Sequence, residues 1–107
     1  YIHIQDVAEV FLHGIKNFHL MGGEVYNVGL SDANLSKVEL CQKIKEFLPG
    51  LTIIEAPIGE DPDQRNYIVS NAKIEATGFL PNYSLDDGIR ELIKGCSALQ
   101  NTRYGNI

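Results

Sequence analysis

The last third of the chain places the tightest constraint on the fold. Leu85, Ile89, Leu92, Ile93, Cys96 and Leu99 recur at spacings of three and four, which on a helix of 3.6 residues per turn lines them along one face. Ser84 precedes this stripe, and Asp86 and Asp87 stand in its first turn. There a hydroxyl accepts a free amide, and carboxylates complement the positive end of the helix dipole. Burying side chains of this size contributes roughly 1.5–3 kcal/mol each. The final helix is therefore expected to be essential to the core, and the rest of the chain has to offer it an apolar surface.

A chain of 107 residues with 44% hydrophobic content is long enough for one core and too short for two. Residues 1–100 are expected to form one lobe and 101–107 a polar tail, ordered only if a partner holds it. Tyr1 to Ile4 alternates as a short strand does. Asp6 with Glu9 three residues on fits a capping box ahead of a helix whose apolar face carries Val7, Val10, Phe11, Ile15 and Phe18. Capping is preferred to a ligand contact for Asp6. Met21-Gly22-Gly23 ends that helix, and Glu24 to Val28 reads as a second strand. Ser36 and Glu39 make another capping box, with Leu35 and Leu40 at the staple positions and Val38, Cys41, Ile44, Phe47 and Leu48 as the buried stripe. Pro49-Gly50 stops this helix, and Leu51 to Ala56 reads as a third strand. A short helix is expected to open at Ser70 or Asn71 and to end near Gly78. This order predicts a small α/β domain, a few short strands with helices packed on them.

The formal net charge of -5 offers no electrostatic footprint for nucleic acid or an anionic membrane. No apolar run approaches the roughly 18 residues needed to span a bilayer, and no basic leader precedes an apolar core. A soluble protein in a reducing cytoplasm is the expectation, with Cys41 and Cys96 as small buried hydrophobes. His3, His13 and His19 lack metal-ligand spacing and are read as structural. The sequence contains no dinucleotide-binding GxGxxG turn, no phosphate loop, no GxSxG elbow and no tyrosine followed four residues later by lysine. No residue is assigned a catalytic role, and none a metal or cofactor.

Groups able to grip a ligand gather in Gly59 to Lys73, GEDPDQRNYIVSNAK. Arg65 offers a planar fork of donors suited to phosphate or carboxylate oxygens, and Tyr67 adds a flat face with a polar tip. The competing reading is an ion pair of Arg65 with Asp61 or Asp63, worth about 0–1 kcal/mol at a surface. Asn27, unusual in a strand, either reaches a ligand at the strand's end or braces a loop.

Five blocks, YIHIQDVAEVF, GEVYNVG, SKVELCQKI, DQRNYIVSNAKI and GFLPNYSLDDGIRELI, stand in the order and spacing that resemble the C-terminal portion of the extended short-chain dehydrogenase/reductase family. The likeness runs from Tyr1 to about Leu99. It implies the substrate-binding portion of a nucleotide-sugar 4,6-dehydratase or epimerase. The resemblance further implies a homodimeric parent in which NAD or NADP would be held by an N-terminal Rossmann domain that this chain lacks. The fragment would be inactive alone. By the same resemblance Arg65 matches the arginine that holds the diphosphate, Asp63 an acid near the nucleotide ribose, and Tyr67 an aromatic position lining the cleft. Asn27 falls in a block that borders the phosphates. Lys73 matches a lysine of the short-helix motif and keeps a structural reading beside it. Ser70 stands where many members carry aspartate. The alternative is a free-standing α/β interaction module without enzymatic activity.

Overall fold

The computed structural model describes residues 1–54 and 68–99. Within them the chain forms α1 (Ile4–Lys16), α2 (Phe18–Met21), α3 (Lys37–Phe47), α4 (Ala72–Glu75) and α5 (Leu85–Ala98). No strand is present among the described residues, which corrects the expected α/β class. The reason is visible at Val25 to Val28. Tyr26 and Val28 pack against the core while Val25 and Asn27 are exposed, so the period of two is real. Period two reports one-sided burial, whereas a strand also needs a neighbour for its amides and carbonyls. The long-range backbone bond just after this segment runs from the Leu30 N–H to the Tyr1 carbonyl, at 2.8 Å. Leu51 to Ile54 likewise form no ladder, and the remainder of that expected strand lies outside the described residues.

The strand expected at Tyr1–Ile4 is replaced by an early helix start. His3 is the N-cap of α1, its ring Nδ1 accepting the Gln5 amide at 3.2 Å. Asp6 and Glu9 therefore make no capping box. Asp6 instead lies inside the first turn, fully buried, and accepts the Asn82 and Tyr83 amides at 2.8 and 3.1 Å. The His3 ring stacks on Tyr83, 4.3 Å between centroids, and its Nε2 pairs with Glu91 of α5. Four contacts thus fasten the start of α1 to α5 and the residues that lead into it.

Both serine caps form as their local sequence dictates. Ser36 with Glu39, and Ser84 with Asp87, close reciprocal boxes at the starts of α3 and α5. The short helices α2 and α4 are followed by Gly23 and Gly78, whose φ of 82° and 90° is a left-handed conformation that glycine tolerates.

The core gathers around α4. Met21, Ile74 and Phe79 are buried together, with Val10, Tyr26 and Val28 packed against them. His13 adds a polar tie. The Thr77 hydroxyl donates to the Ile74 carbonyl at 2.6 Å, so its oxygen accepts from His13 Nε2 at 2.9 Å. Of the apolar stripe of α5, only Ile89 is buried, while Leu92 is 69% and Leu99 77% exposed. Val38 and Leu48 of the α3 stripe are each 43% exposed. Cys41 is half-buried and Cys96 exposed, against the expectation of two buried thiols. Where α3 meets α5, Lys43 reaches Asp86 at 3.3 Å and the Arg90 guanidinium lies 4.9 Å from the Phe47 ring centroid. No helix among the described residues is long and apolar enough to cross a membrane.

Candidate functional site

Asn27 is the one residue of the expected substrate set within the described residues; Asp63, Arg65 and Tyr67 lie outside them. The side chain of Asn27 is exposed on the extended segment 24–28. Two sets of contacts hold the chain there.

The first comes from Lys73 on α4. Its Nζ donates to the Glu24 carboxylate at 2.7 Å and to the Val25 carbonyl at 2.9 Å, and lies 4.7 Å from the Tyr26 ring centroid. Helix geometry turns the next residue, Ile74, into the core, so one short helix both seats the core and pins the segment. The Lys73 ammonium, by hydrogen bond and charge, holds the Glu24 carboxyl below its ordinary range. Of the two readings open for Lys73, the structure displays the structural one.

The second set is a polar cluster around Asn71, which is 3% exposed. Ser31 donates its hydroxyl proton to Glu75 and therefore accepts from Asn71 Nδ2, at 3.2 Å. That choice turns Asn71 Oδ1 toward Gly29, where a Cβ would stand 3.5 Å from it. This buried oxygen has no hydrogen-bond partner among the described residues. Beside the cluster, Asn34 clasps the Val69 backbone from both sides, accepting its amide at 3.1 Å and donating to its carbonyl at 3.2 Å. The clasp ties the chain just after residues 55–67 to the 31–34 turn.

The wall so built spends its amide and hydroxyl groups on internal hydrogen bonds, which brace the chain beside Asn27 and just after residues 55–67. Sequence reading missed Ser31, Asn34 and Glu75. Asn71 stood out only as a helix start, and nothing local to residues 31–34 signals partners some forty positions away.

A comparison with known protein families finds no match for this chain. Among curated proteins it is similar to the low-salt glycan biosynthesis protein Agl12 of Haloferax volcanii, 33% identical over 75 residues, or 66% of this chain and 23% of the relative. The chain thus spans about a quarter of the length of that relative. These findings correct the likeness drawn to the extended short-chain dehydrogenase/reductase family: no family matches, and the strands such a lobe implies are not formed among the described residues. What stands is a relationship to a protein of glycan biosynthesis.

Proposed function

We propose that this chain is the sugar-nucleotide-binding portion of a carbohydrate-biosynthetic enzyme, a nucleotide-diphosphate-sugar dehydratase or epimerase. The observation that carries the reading is the similarity to a glycan biosynthesis protein. Glycans are built from sugars activated as nucleotide diphosphates, and the charged end of such a donor asks for an arginine fork. Arg65 takes the diphosphate, Asp63 the ribose hydroxyls, Tyr67 a face of the ligand, and Asn27 a phosphate oxygen at the edge of the wall. NAD or NADP would serve the oxidation step. The chain has no glycine-rich strand-to-helix turn, so none of its residues is assigned to that cofactor.

The test is a thermal-shift panel of uridine, thymidine and guanosine diphosphate sugars, followed by titration of the best member. Ligand at about 100 times its dissociation constant adds ~2.7 kcal/mol of stability. Losing a charged hydrogen bond costs ~1.5–3 kcal/mol, so Arg65→Ala is expected to weaken binding roughly 10- to 150-fold. Arg65→Lys should recover only part of that, since a point charge lacks the two-pronged geometry. Unchanged affinity in a folded Arg65→Ala protein returns this residue to a surface ion pair. A panel with no stabilising member overturns the reading.

A further inference from the structure

We propose that Lys73 is a positioning residue for ligand binding: it sets Asn27 in place by clamping the three residues ahead of it, without touching the ligand itself. This rests on the reading that Asn27 meets a phosphate oxygen of the sugar nucleotide. A lysine ammonium offers N–H donors and no acceptor. At Lys73 the donors go to the Glu24 carboxylate at 2.7 Å and the Val25 carbonyl at 2.9 Å, and the cation stands 4.7 Å from the Tyr26 ring centroid, inside the range of about 6 Å over which a ring face attracts it. One side chain thus holds a carboxylate, a backbone carbonyl and a ring on three consecutive residues. Asn27 follows them directly.

The clamp acts from a firm base onto a held segment. Ile74, next to Lys73 on α4, is 2% exposed, and its amide bonds to the carbonyl of the buried Asn71 at 3.1 Å. Beyond Asn27, Val28 packs on the core and the Leu30 amide bonds to the Tyr1 carbonyl. Asn27 is therefore an exposed amide side chain with its neighbours fixed on both sides. A ligand that meets it does not have to order the segment, and the contact keeps its full strength. The Lys73 side chain is itself 54% exposed, so direct contact with the anion is the rival arrangement.

A double-mutant cycle separates the two. The full 107-residue chain is titrated calorimetrically with the best nucleotide sugar of the panel, as the parent, Lys73→Met, Asn27→Ala and the double variant, each checked for folding by circular dichroism. Lys73→Met and Asn27→Ala are each expected to weaken binding about tenfold, and the double variant to bind no worse than Asn27→Ala, because a clamp has nothing left to position once the amide is gone. Lys73→Arg, which keeps the charge and donors for Glu24 and Val25, should restore most of the affinity. Losses that multiply to roughly a hundredfold in the double variant would mean an independent contact of Lys73 with the anion and overturn the proposal. Parent-like affinity in Lys73→Met would overturn it as well. A second readout needs no ligand: the Tyr26 ring current should move the Lys73 ε-methylene protons upfield, and an ordinary position for them would show that the clamp is absent in solution. If those protons are shifted and the parent binds no sugar nucleotide, the clamp stands, and what fails is the sugar-nucleotide reading, taking the positioning role with it.

Discussion

Asp6 is a carboxylate buried in the first turn of α1, and its two oxygens answer the Asn82 and Tyr83 amides. Leaving a buried donor unsatisfied costs about 1–3 kcal/mol, so Asp6→Ala, which orphans both amides, is expected to lower unfolding free energy by roughly 2–5 kcal/mol. Urea denaturation measures this as a lower midpoint at similar slope. Asp6→Asn should recover part of the loss, because one side-chain oxygen still accepts while the amide nitrogen meets a donor. A midpoint unchanged in Asp6→Ala would show that water satisfies these amides equally well. The residue type was legible as a partner for helix amides, but the helix it serves was not. Asp6 answers the amides ahead of α5, more than seventy positions on, and no local pattern encodes such a pairing.

At the scale of the element, the caps were the most legible feature. A capping box needs only residues three apart, so Ser36 with Glu39 and Ser84 with Asp87 form whatever the tertiary fold. Their acid partners make the helices pH-sensitive. Hydrogen bonds to Ser36 lower the Glu39 pKa, those to Ser84 lower that of Asp87, and the bond from Lys73 lowers that of Glu24. A depressed folded-state value means stability present above the unfolded value and lost as pH falls through the folded one. Stability is thus expected to decline on acidification below about 4.5 for the two glutamates and 3.8 for Asp87. Thermal melts by circular dichroism between neutral pH and about pH 3 follow this, and Glu39→Gln with Asp87→Asn should flatten the acid limb. An acid limb of the same steepness in that double variant would place the sensitivity elsewhere. Lys43 runs in the other sense. Its pKa is raised by Glu46 and Asp86, so its contribution is present below 10.5 and is lost as pH rises through the higher folded value.

For the whole molecule, the weight of the core lies where the periodicity did not put it. The stripe of α5 predicts a central helix, yet Leu92 is 69% exposed while Ile74, in the four-residue α4, is 2% exposed. Ile74→Ala is therefore expected to cost ~2–5 kcal/mol, and Leu92→Ala to stay within about 0.5 kcal/mol of the parent. Chemical denaturation of the two variants decides the matter, and a larger loss at Leu92 would mean that its stripe is covered in solution. The sequence by itself determined the starts of α3 and α5 and the glycine exits after α2 and α4, because serine caps and the left-handed glycines at Gly23 and Gly78 act within a turn or two of chain, whereas the start of α1 at His3 and its break at Asn17 were not legible. Only the tertiary structure decided that the segment 24–28 would lie on Lys73 instead of in a sheet, and that Ser31, Asn71 and Glu75 would meet. Strand pairing and buried polar clusters depend on partners distant in the chain, and the energy that selects them is shared by both sides of the contact.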